Sequence, residues 1–401
     1  MILLLKHYTK FIYISFKIYF IIFFSILLYL EKLNKNNYFK ERNNKANKEI
    51  KNKYNIYIKK GIKIIYNSNI EQNKKKEGKK RIGIIGLKHH KNVGNILLKF
   101  AIYKQLKELG VEPYIIGKHK LTHDIRFLNK TTHPRIIKNY NEIKENDYDI
   151  LMVNSDQTWH KSHIYQIGLL NFSKNWKVPK FIYGASNGVD YWPFSKETDK
   201  IAKFLLKNFT GISFREMSTV KYAKEHLDID STFVLDPTIL INKEYYIEIV
   251  NNYKNVKNLT NLTEYILTYK LDKMKNMETF IRKVHSQLKY KIFDIKLKDN
   301  DYIEKFLYGI FHCKADITNS YHATLFAIIF NKPFIVFLNS ARGNGRFKTI
   351  IDVYGIKNRF FTSLQKPNIS LLTTPLKINY TNINLYRNIS LEYLKKNLNI
   401  I

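Results

Sequence analysis

Short apolar runs that stop abruptly in polar residues recur along this chain, separated by longer stretches with apolar residues at helical spacing. Residues 81–86 (Arg-Ile-Gly-Ile-Ile-Gly) read as a strand entering a glycine-containing loop. Residues 92–110 follow with apolar positions at helical intervals and Gly110 as the stop. A strand at 111–117 completes a β-loop-α-β opening, the first step of a doubly wound sheet. The segments 148–153, 181–188, 211–216 and 232–238 each combine a short apolar run with a small or polar exit. Carboxyl ends of parallel strands are where such sheets bind ligands.

A second series follows a polar, asparagine-rich stretch at 245–262, read as a hinge. It predicts strands at 264–269, 290–295, 315–318 and 334–338, and helices at 277–288, 303–312 and 323–330. A last helix at 394–397 is expected to pack back across the halves. The fold class is therefore α/β: two Rossmann-like domains facing a cleft, 81–250 and 263–385, with a C-terminal helix in 386–401.

Residues 11–30 break the pattern, being apolar throughout except for Lys17 and two serines. A run of that length covers the hydrocarbon core of a bilayer, so residues 1–30 predict an N-terminal hydrophobic helix that anchors the chain. An interfacial amphipathic helix, or upstream sequence translated from a wrong start codon, are the alternatives. Residues 31–80 hold 16 Lys plus Arg against 5 Asp plus Glu and read as a juxtamembrane linker. The heavier positive flank stays inside, which predicts a single-pass anchor with the rest of the chain on the cytoplasmic face of the membrane.

The formal net charge of +35 invites a nucleic-acid reading. No basic stripe with interleaved stacking aromatics and no zinc-knuckle or helix-turn-helix pattern accompanies it, so no nucleic-acid partner is expected. The single cysteine, Cys313, excludes a disulfide framework and a cysteine-built zinc site. His89, His90 and His160 lack a metal-site partner set, and no metal is expected.

The most informative stretch runs from Asn319 to Val336. Ser320 is placed to cap a buried helix that Asn331-Lys332-Pro333 ends. His322 then lies in the first helical turn, at the strand ends, where free N–H groups and the positive dipole end suit an anion. The alternative is an ordinary histidine satisfied beneath a loop.

Six segments share an order that resembles the polysaccharide pyruvyl transferase family. They are Asn92-x-Gly94-Asn95, Ser155-Asp156-Gln157-x-Trp159, Tyr183-Gly184-Ala185-Ser186, Ser213-x-Arg215-Glu216, Asp236-Pro237-Thr238 and Ser320-Tyr321-His322-Ala323-Thr324. The tail Arg342-Gly343-Asn344-Gly345-Arg346-Phe347 adds to them, and the resemblance covers about residues 81–362. It implies a two-domain fold like that of GT-B glycosyltransferases. It also implies transfer of the pyruvyl group of phosphoenolpyruvate onto two hydroxyls of a sugar or lipid-linked glycan in a surface polysaccharide precursor. A pyruvate ketal forms, phosphate leaves, and no cofactor is needed beyond the donor substrate.

By the same resemblance His322 is the candidate acid and phosphate contact. Arg215 is the guanidinium for a carboxylate or phosphate, unless it serves a structural ion pair with Glu216 or another carboxylate. Asp156 either accepts a proton from the acceptor hydroxyl or caps a helix. Asn92, Gly94, Asn95, Ser155 and Ser320 are candidate substrate-binding positions. Arg342 and Arg346 close over an anion or merely solvate the surface. Asp236-Pro237 is read as a strand end near the hinge. Two rival functions fit the same fold: a GT-B-type glycosyltransferase using a nucleotide sugar, and a non-catalytic glycan-binding membrane protein.

Overall fold

A computed structural model describes residues 78–87, 92–118, 125–132, 134–255, 264–295 and 301–400. The expected anchor, nearly all of the linker and the pair His89-His90 lie outside the described residues. Among the described residues no helix is long and apolar enough to cross a membrane.

The first half is built on β1 (Arg81–Ile85), β2 (Glu112–Lys118), β3 (Arg135–Ile137), β4 (Ile150–Val153), β5 (Lys180–Ile182) and β6 (Phe209–Gly211). They form one all-parallel sheet in the order β3-β2-β1-β4-β5-β6. This is the doubly wound order in which the chain reverses direction between β1 and β4, leaving a crevice at their carboxyl ends. The strands β7 (Ser213–Phe214) and β8 (Thr232–Phe233) pair separately, and bridges from Asp156 to Ala185 and from Ala185 to Phe214 join them to the sheet's exit edge. The helices of this half are α1 (Val93–Glu108), α2 (Ile125–Thr131), α3 (Lys196–Leu206), α4 (Met217–Leu227), α5 (Pro237–Leu240) and α6 (Glu244–Asn251).

The second half carries β9 (Tyr265–Tyr269), β10 (Lys291–Asp294), β11 (Ala315–Thr318), β12 (Phe334–Phe337) and β13 (Phe360–Phe361). All are parallel, in the order β10-β9-β11-β12-β13, which puts this sheet's switch point between β9 and β11. Its helices are α7 (Lys275–Leu288), α8 (Tyr302–His312), α9 (Tyr321–Ile329) and α10 (Gly345–Tyr354).

One apolar cluster runs through both halves. α1 is buried on nearly all sides, its polar Asn95, Lys99 and Gln105 included. Phe100 on α1 meets Tyr246 on α6 at 6.0 Å between ring centroids, Tyr246 meets Phe326 on α9 at 4.8 Å, and Phe326 meets Phe306 on α8 at 5.7 Å. Each such pair contributes about 0.5–1.5 kcal/mol beyond its buried area, so the chain of rings holds the second half's helices against the first. The stretch expected to be a polar hinge thus begins with a helix, α6, which buries Tyr246 and Val250. Residues 256–263 lie outside the described residues.

The last helix, α11 (Tyr380–Leu398), is far longer than the expected 394–397 and is capped by Asn379. Two of its buried positions, Ser390 and Asn397, are polar, which blurs the apolar spacing. Both are engaged with the first half: Ser390 Oγ accepts from the Leu235 N–H at 2.9 Å, and Asn397 Oδ1 accepts from Thr210 Oγ1 at 2.9 Å.

One fully buried acid in the second sheet is poorly compensated. Asp316 on β11 is inaccessible to solvent and has no cation beside it, and the neighbouring Ile317 N–H opposes its burial only weakly. Burial pushes its pKa well above the usual carboxylate range, so the folded chain keeps a proton that the unfolded chain releases. Folding stability should therefore fall as pH rises above the ordinary aspartate value of about 3.9 toward the raised folded value. Urea midpoints across that window should decline in the wild type and stay flatter in Asp316→Asn; parallel curves would contradict the assignment.

Candidate active site

The two switch points face each other, and their exit loops enclose a narrow cleft. From the first half come Asn92 and Gly94 after β1 and Asp156 and Gln157 after β4; from the second come Tyr269 and Leu271 after β9 and Ser320, Tyr321 and His322 after β11. Arg342, Arg346 and Phe347, beyond β12, complete the wall.

Ser320 caps α9 as its sequence predicts, with Oγ accepting from the Ala323 N–H at 3.4 Å. Asn92 does the same for α1, accepting from the Asn95 N–H at 3.3 Å. These caps fix the ring of His322 against α1 of the opposite half. A Cβ on Gly94 would stand 1.9 Å from His322 Nδ1, so only glycine lets the imidazole approach. The other ring nitrogen, Nε2, is buried without a hydrogen-bond partner and lies 3.8 Å from Asp236 Oδ2. Burial lowers the imidazole pKa to about 4, and the Asp236 charge only partly opposes it, so the ring is neutral at physiological pH.

Arg215 lies behind the wall rather than in it. Its side chain is wholly enclosed, with Nη1 donating to Asp236 Oδ2 at 2.8 Å and longer ion pairs to Asp156 and Glu216, each at 3.5 Å. Burial disfavours the charge, but Asp236, Tyr321, Asp156 and Glu216 outweigh it and raise the pKa. The direct anion contact expected of Arg215 is thus not what its position offers, because carboxylates surround it. The structural ion pair, weighed as the alternative, is present, and its main partner is Asp236. That aspartate is more than a strand end: Oδ1 caps α5 through Thr238, while Oδ2 faces Arg215 and His322.

Asp156 lines the cleft and caps no helix, since the residues after it form turns. Its Oδ2 accepts from Asn95 Nδ2 at 2.9 Å and its Oδ1 from the Gln157 N–H at 2.9 Å. Burial works against its charge, yet Arg215, His322 and these donors hold its pKa below the usual range. Ser155, expected at the substrate, instead donates to the Gly184 carbonyl at 2.7 Å and is buried away from the cleft. Asn95 also stands behind the wall, supporting Asp156.

The two tail arginines differ. Arg342 is committed to Asp272, with Nε and Nη2 at 2.5 and 2.9 Å from the carboxylate. Arg346 makes no ion pair among the described residues; Nη2 donates to the Arg342 carbonyl at 3.2 Å and Nε is buried without a partner. Burial and the neighbouring Arg215 charge lower its pKa, so a bound anion would relieve it. Its guanidinium and that of Arg215 both lie over the Tyr321 ring, at 5.7 and 4.9 Å from the centroid. Asp236 and Tyr321 stand in the family segments without a site role there, and Asp272 in none; nothing in the sequence shows which carboxylate meets which cation. Among the described residues no three His, Cys, Asp or Glu side chains converge as a metal ion would need.

Residues 92–341 match the family model of the polysaccharide pyruvyl transferases. The chain belongs to the polysaccharide pyruvyl transferase family. As a member it is a transferase of polysaccharide biosynthesis. No curated protein matches the chain. Among solved structures it is similar to Staphylococcus aureus MnaA with UDP (13% identity over 80% of this chain and 91% of that one, TM-score 0.49). It is also similar to Anabaena HepE with UDP and glucose (9%, 80% and 93%, 0.44) and to the Methanocaldococcus jannaschii UDP-GlcNAc 2-epimerase with UDP-GlcNAc and UDP (14%, 77% and 93%, 0.43).

The contact between Gly94 and His322 is open to test. In Gly94→Ala the added methyl should expel the imidazole from the cleft. Its NMR titration midpoint should then move from about 4 toward the ordinary histidine value near 6.5. Alanine also gains roughly 0.5–1 kcal/mol of helix propensity in α1, so the variant should stay folded. An unmoved midpoint would show that the ring does not rest there.

Proposed function

We propose that this family member moves the pyruvyl group of phosphoenolpyruvate onto two hydroxyls of a sugar in a surface-glycan precursor. The observation that carries the reading is the pair of nitrogen-bearing side chains at the cleft, His322 and Arg346, each with a buried nitrogen that lacks a hydrogen-bond partner and Arg346 with no ion pair among the described residues. A compact, highly charged phosphate ester would complement both.

The chemistry sets the roles. One hydroxyl oxygen bonds to the central carbon of the donor while a proton adds to its methylene carbon. The bond from that carbon to the phosphate oxygen then breaks, and the second hydroxyl oxygen takes its place to close the ketal. Of the two hydroxyl protons released, one is balanced by the new methyl group and the other leaves with inorganic phosphate. Arg346 offsets the phosphate charge through its planar fork. His322 is neutral in the free cleft, but an anion bound against the ring favours its protonated form, so the proton arrives with the donor and is delivered as general acid. Asp156, held anionic, accepts the hydroxyl proton. Arg215 keeps Asp156 and Asp236 in place without touching substrate.

The nucleotide-sugar rival is less well supplied. At the start of α10 the N–H groups of Asn344 and Gly345 already donate to the Asp190 carboxylate, the former at 2.7 Å. A diphosphate would have to displace that carboxylate.

Phosphorus NMR of the full chain with phosphoenolpyruvate and lipid-linked glycan extract should show free phosphate accumulating. His322→Gln should slow release by about 10²–10⁴-fold, as loss of a general acid does. Arg346→Ala should chiefly raise KM for the donor. Calorimetry in buffers of different ionisation enthalpy should show proton uptake on donor binding that His322→Gln reduces by close to one proton. Tight competition by UDP with no phosphate release would favour the rival, and sugar binding with no turnover of any donor would favour a non-catalytic role.

A further inference from the structure

A buried lysine outside the cleft touches the amide that supports the carboxylate inside it. Lys99 lies one helical turn beyond Asn95 on α1 and is 1% exposed. Its Nζ donates to the Leu87 carbonyl at 2.6 Å and to Asn95 Oδ1 at 3.0 Å. An ammonium has donors only, so it dictates which end of the Asn95 amide it meets. With Oδ1 turned to Lys99, Nδ2 must face Asp156 Oδ2, at 2.9 Å. Reversed, the amide would set its oxygen against the carboxylate.

Asp156 needs that support. Its backbone φ of 105° lies where residues with a Cβ are rarely found, at a cost of about 1–3 kcal/mol that surrounding contacts must offset. Three donor groups fix the carboxylate: the Asn95 amide, the Gln157 N–H and, at longer range, Arg215. Of these only the amide has an orientation that a further residue decides.

We propose that Lys99 is a positioning residue for Asp156, acting through the Asn95 amide to hold the carboxylate anionic and aimed into the cleft. Burying an ammonium is costly, and an apolar side chain would fill the same space more cheaply, so the charge has a use there beyond packing. Burial lowers the Lys99 pKa to about 7 while the Asp156 charge opposes it, as two groups coupled across one amide should behave. That Asp156 accepts the hydroxyl proton rests on the function proposed above; that Lys99 sets its geometry and charge does not.

The test follows the Asp156 carboxyl in the full chain labelled with carbon-13 at aspartate, the resonance being assigned by its loss in Asp156→Asn. Lys99→Met should raise the Asp156 midpoint by about one unit, the scale of one lost hydrogen bond to a charged group. Asn95→Ala should raise it equally, and the double variant no further, because both act through one contact. An unmoved midpoint in Lys99→Met, or shifts that add in the double variant, would overturn the proposal. Should Lys99→Met not fold, the wild type decides: the Asp156 resonance must show a second, smaller inflection near pH 7 as Lys99 titrates, and its absence counts against the coupling. In the phosphate-release assay the acidic limb of kcat/KM should move with the NMR midpoint. A midpoint that moves without the limb would leave Lys99 its role and remove Asp156 as the base.

Discussion

The guanidinium of Arg215 ties the cleft together, although it never reaches it. Three exits of the first half deliver carboxylates to it: Asp156 after β4, Glu216 after β7 and Asp236 after β8. Charges this deeply buried persist only when paired, and removing one partner from such a cluster costs about 3–5 kcal/mol. Glu216 shows the margin: burial raises its pKa, and Arg215 only partly opposes that. The second half reaches the same cation through Tyr321, whose ring lies 4.9 Å from it, and through His322, which faces Asp236. One buried cation thus aligns the exit loops of one sheet with the first helical turn of the other.

This arrangement explains what the sequence could and could not show. Strands β11 and β12 and the Ser320 cap were legible because each is a local signal: an apolar run, a hydroxyl at the helix start, a proline at the stop. Alternation of strands and helices shows two doubly wound halves, but not the strand order within each sheet, which fixes where the switch points lie. Burial of charge was not legible. Arg215 lies between Phe214 and Glu216 and Arg346 between Gly345 and Phe347, and these neighbours do not show that one is enclosed by acids while the other has no ion pair among the described residues. Asp236 followed by proline reads as a strand end; one of its oxygens caps the next helix and the other serves Arg215, and no spacing rule shows either task. Ser155 sits beside Asp156 in the same motif, but neighbouring side chains here point differently, one to Gly184 and one to the cleft.

The halves also meet at the cleft's rim. Gly343 has a φ of 71°, and a Cβ there would stand 2.7 Å from the Gly188 carbonyl oxygen, so the loop before α10 passes the first half at backbone contact. That passage brings Asp190 to the N–H groups at the start of α10, and it carries Arg346 one residue into the helix. The carboxylate at the helix start and the guanidinium on its first turn therefore come as a unit: Asp190 takes the helix's own donors, which leaves Arg346 as the cation for a ligand. The Arg342–Asp272 pair supports the same loop from the second half.

Charge then sets what the cleft can accept. Asp156 and Asp236 set two negative charges against the one of Arg215, and Arg346 is the second cation nearby, the one with no ion pair among the described residues. A neutral His322 adds no charge until an anion is present, which suits a site that must be stable when empty and cationic when filled. A permanently charged imidazole beside Arg215 and Arg346 would carry like-charge repulsion in a buried space, where it is least screened. A ring of low pKa avoids that repulsion at rest. The same neighbours that lower its pKa, burial foremost, strengthen its response when a phosphate arrives, because the low dielectric that penalises a lone charge magnifies the attraction of a pair. The feature that makes His322 look unsuited to acid catalysis in the empty protein is thus the one that couples its protonation to the arrival of the donor.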